Sequence, residues 1–149
     1  MMSLSDYPMT ILYADDDPED RMLTQEAFEE SKLASNLIFV EDGEELMEYL
    51  NHKGKFSDTE KYPRPDLILL DLNMPKKDGR ECLKEIKLDE SLKKIPVVVL
   101  TTSNDEEDVL KTYNLGVSSF ITKPVTFDSM VDIVKSLNQY WFQIVRLPN

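Results

Sequence analysis

The sequence predicts an α/β domain: a parallel five-stranded sheet with helices on both faces. Three observations lead to that class. Short apolar runs alternate with helical stretches five times along the chain. Runs such as LILL (residues 67–70) and PVVVL (residues 96–100) carry no polar face. Helices must therefore cover both sides of those strands, as they do in a parallel sheet. Four of the five runs also stop abruptly at Asp, Thr or Lys.

The first run, residues 10–14 (TILYA), ends in Asp15-Asp16-Asp17-Pro18. Pro18 suits a first helical position and Asp17 an N-cap, so a helix over residues 18–32 follows, with Leu23, Ala27 and Phe28 on its inner side. Residues 37–40 read as the second strand. Residues 44–51 then form a short helix with Leu46, Met47 and Leu50 at helical spacing. Residues 52–65 (HKGKFSDTEKYPRP) break the pattern and form a long loop. The third strand, residues 67–70, ends in Asp71. A turn over residues 73–79 (NMPKKDG) leads into a helix carrying Cys82, Leu83 and Ile86. The fourth strand, residues 96–100, ends in Thr101-Thr102, and a helix over residues 106–113 stops at Asn114-Leu115-Gly116. The fifth strand, residues 119–122, runs into Lys123-Pro124. The last helix begins near Phe127 and extends toward Val145.

At 149 residues the chain is long enough for one hydrophobic core. Its net charge of −12, from 29 acidic against 17 basic residues, argues against a nucleic-acid surface, which needs clustered Lys and Arg. The single cysteine, Cys82, excludes an intrachain disulfide framework and fits a reducing compartment; its apolar neighbours point to a packing role. No apolar run approaches the ~20 residues of a membrane span. The amino terminus, MMSLSDYPMT, lacks the basic and apolar regions of a signal peptide. A cytoplasmic protein without a nucleic-acid or membrane partner is expected.

The chemistry gathers where the strands end. Asp15 and Asp16 follow the first strand, Asp71 the third, Thr101 the fourth and Lys123 the fifth. Ligands bind at the carboxyl ends of strands in open parallel sheets, so these groups should converge on one rim. Three neighbouring carboxylates repel one another, and one Lys does not neutralise them. A hard divalent cation with oxygen ligands, Mg²⁺ by preference, completes the balance. A cation, an ammonium and a hydroxyl around one carboxylate make a site where that carboxylate can attack a phosphoryl group in line. Taken singly, a strand-end Asp is a helix cap, Thr101 a turn former and Lys123 a solvated lysine; the joint pattern favours the site.

The segments ILYADDDP, LILLDLNMPKKDG, PVVVLTTS and SSFITKP resemble, in order and spacing, the receiver domains of two-component response regulators. The resemblance covers nearly the whole chain. It implies a flavodoxin-like sheet of order 2-1-3-4-5 and a phosphoacceptor switch rather than a turnover enzyme, with the receiver catalysing its own phosphorylation and dephosphorylation. Asp71 matches the phosphoacceptor. Asp15 and Asp16 match the acidic pair, Asp16 as a direct Mg²⁺ ligand and Asp15 largely through water. Asn73 would offer its backbone carbonyl to the metal, and Thr101 and Lys123 would bind the transferred phosphoryl group. Phe120 matches the switch aromatic coupled to Thr101, Pro124 the residue after a cis peptide bond, and Pro75 and Gly79 shape the loop after the acceptor. Asn73 and Ser103 stand where the family tunes the lifetime of the acyl phosphate, here expected to be intermediate. The donor implied is a sensor histidine kinase or a histidine phosphotransfer protein.

The loop over residues 52–65 and the long last helix ending WFQIVRLP are similar to the stand-alone regulators of phytochrome-type histidine kinases. Roughly 19 helical residues would span about 28 Å, so Trp141 and Ile144 are expected to overhang the sheet and meet a second subunit or a kinase. One domain is expected, its core over residues 9–146, without an attached output domain. His52, beside Lys53 in a polar loop, reads as a surface residue. Two other functions compete with the phosphoacceptor switch. A phosphohydrolase resembling the haloacid dehalogenases would need a second Asp where Asn73 stands. A phosphorylation-independent interaction module of the same fold would usually lack the acceptor, the acidic pair or the Lys, all of which this chain keeps.

Overall fold

In the computed structural model the five apolar runs become the strands of a single sheet. The structure describes residues 9–32, 35–102, 105–123 and 126–140, with every side chain among them except those of Asn138 and Tyr140. The strands are β1 (Met9–Ala14), β2 (Ser35–Val40), β3 (Leu67–Leu70), β4 (Val97–Thr101) and β5 (Ser119–Thr122). All pair in parallel, in the order β2-β1-β3-β4-β5. The helices are α1 (Pro18–Ser31), α2 (Gly43–Leu50), α3 (Gly79–Leu88), α4 (Glu106–Asn114) and α5 (Phe127–Tyr140). Trp141 and Ile144, Ser103 and Pro124 lie outside the described residues. No helix among those described is long and apolar enough to cross a membrane.

Aspartates start four of the helices. Asp17, Asp42, Asp78 and Asp105 each accept a first-turn N–H from extended backbone, a contact worth about 1 kcal/mol apiece. Part of the acid excess is therefore structural. α1 ends one residue earlier than expected because Lys32 turns left-handed (φ 56°) and closes its N–H on Glu29 O. β2 begins two residues earlier because polar Ser35 and Asn36 pair with Met9 and Thr10.

The sheet separates two cores, as alternation along buried strands requires. On one face Leu12, Ile68, Leu70, Val97 and Val99 pack with α2 and α3, including Leu46, Leu83 and Ile86. Cys82 is buried there, and burial pushes its thiol up to about 12. On the other face Ile11, Tyr13, Leu67, Leu69 and Leu100 pack with Ala27 and Phe28 of α1 and Met130, Val134 and Leu137 of α5. Leu23, expected beside them, is only half-buried.

Residues 52–65 are more ordered than their composition implies. A 3-10 turn, Gly54–Phe56, buries Phe56 against Tyr49 and Tyr62 at centroid distances of 5.1 and 5.0 Å. The Tyr49 hydroxyl donates to Pro63 O at 2.8 Å. Arg64 donates to Ser91 Oγ at 2.9 Å and Ser91 O at 2.6 Å. The surface reading of His52 needs correction: it is half-buried, with Nδ1 shielded and unpartnered. Its backbone turns left-handed (φ 54°) where the Lys53 N–H bonds Glu48 O at 2.9 Å.

Candidate functional site

Parallel strands point their carboxyl ends the same way, so the residues that end β1, β3, β4 and β5 share one rim. Asp71 follows the central strand, β3. Its N–H bonds Ala14 O at 3.0 Å, and the residue is 6% exposed. One carboxylate oxygen accepts the Asn73 N–H at 3.1 Å, and the other lies 3.5 Å from Lys123 Nζ. Burial pushes the Asp71 carboxyl above the usual carboxylate range. The Lys123 charge, the Asn73 N–H and the Thr101 hydroxyl oppose that rise without cancelling it.

Asp15 is fully buried and tightly held. It accepts from the Tyr13 hydroxyl at 2.7 Å, the Asp17 N–H at 2.9 Å and Lys123 Nζ at 2.6 Å. Arg21 also donates to its backbone carbonyl at 2.8 Å. Asp16, next in the chain, is exposed. Carboxylate oxygens of Asp15, Asp16 and Asp71 lie within 4.8 Å of one another.

Lys123 sits closer to the acid at β1 than to Asp71. Besides Asp15 it donates to Asp20 at 2.7 Å, and its side chain is 7% exposed. Burial pulls the ammonium down, but the bonds to Asp15 and Asp20 and the charges of Asp15 and Asp71 hold it above its ordinary value. Its main-chain N–H bonds Thr101 O at 2.7 Å, locking the end of β5 to β4. Thr101 is fully buried. Asn73 is exposed at the mouth, its amide 3.4 Å from the Thr101 and Thr102 hydroxyls. Phe120 is half-buried on β5, and its N–H donates to the Tyr113 hydroxyl of α4 at 3.1 Å.

The rim thus brings together every strand-end residue expected there. Asp20 and Tyr13 are additions the sequence reading missed. Tyr13 was hidden inside an apolar strand, and Asp20 looked like ordinary first-turn acid.

The balance of charge tests the site for a cation. Asp15, Asp20 and Asp71 share the Lys123 ammonium, and the Asp16 carboxylate lies beside those of Asp15 and Asp71. A hard divalent cation fits this all-oxygen set.

Known proteins agree with this geometry. A family model described as the response regulator receiver domain matches residues 11–135. The chain is 43% identical to the response regulator Rcp1 of Synechocystis sp., over 99% of both chains. The crystal structure of the phosphorylated cyanobacterial phytochrome response regulator RcpA superposes with a TM-score of 0.83 at 43% identity, covering 96% of this chain and 100% of that one. The Mn²⁺-bound form of Rcp1 gives 0.81 at 44% identity, covering 95% and 100%. With the matched segment spanning most of its length, the chain belongs to the response regulator receiver domain family.

Proposed function

We propose that this receiver is a phosphorylation switch in which Asp71 takes a phosphoryl group from a phosphohistidine on a sensor histidine kinase or a histidine phosphotransfer protein. The buried Asp71 at the end of the central strand, beside Lys123 and grouped with Asp15 and Asp16, carries this reading. The kinase of a phytochrome system is the favoured partner, given the likeness to Rcp1 and RcpA, and the cytoplasm the favoured setting.

An Asp71 carboxylate oxygen attacks phosphorus as the P–N bond breaks, and the imidazole leaves with the bonding pair and takes up a proton. Lys123, held above its ordinary pKa, stays charged and faces the phosphoryl oxygens. The Thr101 hydroxyl donates to the same group. Asp15, Asp16, Asp71 and the Asn73 carbonyl would hold Mg²⁺, which supplies charge neutralisation when bound. The site so formed would speed both the receiver's own phosphorylation and its hydrolysis. Thr101 drawn toward the phosphoryl group leaves room for Phe120 to turn inward, biasing a two-state element. A homodimer through Trp141 and Ile144 completes the reading, with light scattering of Trp141→Ala as its check.

Intact mass after incubation with a small phosphodonor and Mg²⁺ tests the proposal. Wild type should gain one phosphoryl group and Asp71→Asn none. Equal labelling of both would remove Asp71 from the role. No gain by either, with cation binding confirmed, would favour a phosphorylation-independent module.

A further inference from the structure

Arg80, in the first turn of α3, reaches the cap of its own helix and two other segments. Its Nε and one terminal nitrogen grip both Asp108 carboxylate oxygens, at 2.7 and 2.6 Å. This bidentate geometry fixes the guanidinium plane as well as its charge. The other terminal nitrogen donates to Asp78 at 3.1 Å and to Asn73 Oδ1 at 3.3 Å. Asp108 belongs to α4 and Asp78 caps α3. One guanidinium therefore ties the loop after Asp71 to two helices.

The contact with Asn73 sets the orientation of an amide. A guanidinium only donates, so it selects Oδ1 and turns Nδ2 toward Thr101 and Thr102, at 3.4 Å from each hydroxyl. Asn73 consequently presents a donor to the site and keeps its acceptor engaged outside it. Resting on the reading of Asp71 as phosphoacceptor, we propose that Arg80 is a positioning residue that prolongs the acyl phosphate by holding the Asn73 side-chain oxygen, Oδ1, away from the hydrolytic water.

In hydrolysis, water oxygen bonds phosphorus, the acyl P–O bond breaks and Asp71 leaves as a carboxylate. The water's proton passes to phosphate or solvent. An attacking water needs an acceptor to orient it. The Asn73 side chain has one such oxygen, and Arg80 holds it on the side turned away from Thr101. Without Arg80 the amide turns freely and its oxygen enters the site for part of the time. The expected shortening of the phosphorylated lifetime is about threefold to tenfold, the population change when one hydrogen bond of ordinary net strength is lost, as suits a contact of 3.3 Å.

A mutant cycle separates this effect from general loosening of α4. Wild type, Arg80→Met, Asn73→Ala and the double variant are phosphorylated with a small phosphodonor, freed of donor and followed by intact mass. Arg80→Met should shorten the lifetime in the Asn73 background and leave it unchanged in the Asn73→Ala background. Equal shortening in both backgrounds, or none in the first, overturns the proposal. A wild type that gains no phosphoryl group overturns the phosphoacceptor reading instead. The Asn73 side-chain amide resonances then decide the latch on unmodified protein: Arg80→Met should shift them, and unmoved resonances reject it.

Discussion

Replacing Gly79 by Ala would test how the Asp71 segment is held. The first residue of α3 is packed onto the chain just after β3, and its N–H bonds Leu72 O at 2.9 Å. A Cβ there would meet the Asp71 carbonyl oxygen and stand 2.7 Å from Leu72 Cα. Ordinary contact begins at 3.4 Å, so α3 and the loop must part by at least 0.7 Å (3.4 − 2.7). Both neighbours are backbone and cannot rotate away. Overpacking of this kind costs about 1–3 kcal/mol, which for a chain of this size lowers Tm by roughly 3–10 °C. The same displacement moves the Asp71 main chain relative to Lys123. Misplacement approaching 1 Å slows a positioned reaction by up to about 100-fold. Thermal unfolding and the rate of phosphoryl uptake, read by intact mass, measure the two effects. Gly116→Ala is the control: its φ of +95° makes a side chain strained, but nothing lies within 4 Å of the added carbon. It should cost about 1 kcal/mol and leave uptake unchanged. A Gly79→Ala protein with wild-type Tm and wild-type uptake would refute the close approach.

Asp71→Asn should raise the Tm of metal-free protein at neutral pH. The folded pKa of Asp71 lies above its ordinary value of 3.8, so its contribution to stability is full below the unfolded pKa and lost as pH rises through the folded one. The gain should vanish in acid, and a lower Tm at neutral pH would contradict the burial argument. Asp20→Asn should lower the Lys123 ammonium pKa, because it removes a carboxylate 2.7 Å away; NMR titration of labelled lysine reads this, and an unchanged value would deny Asp20 its part. Tyr62→Ala should cost about 1–3 kcal/mol by removing two ring contacts. Phosphoryl uptake should not change, since residues 52–65 enter β3 at the opposite rim. A slowed uptake at wild-type Tm would show coupling the packing does not explain.

The strands and their polar ends were legible because their signals are local. An unbroken run such as LILL needs cover on both faces, and the residue that ends it must lie at the rim. The partners of those residues were not legible. Tyr13 sits in a strand whose neighbours are pure core, and only three-dimensional register turns its hydroxyl to Asp15. Asp20 and Arg80 are charged first-turn residues like many others until Lys123 and Asp108, far along the chain, arrive beside them. The polar loop hid a similar long-range fact. Phe56 and Tyr62 are isolated aromatics in sequence, and they cluster only because the chain doubles back on Tyr49.

That aromatic cluster also makes the molecule convenient to instrument. Ser57, Asp58, Thr59 and Glu60 are exposed between anchored neighbours, with Phe56 buried on one side and Arg64 fastened to Ser91 on the other. A fluorophore or surface tether attached at Thr59 would ride on a firm base, at the end of the sheet away from the chemistry. Kinase encounters and changes of state at the Asp71 rim could then be followed without the reporter disturbing either.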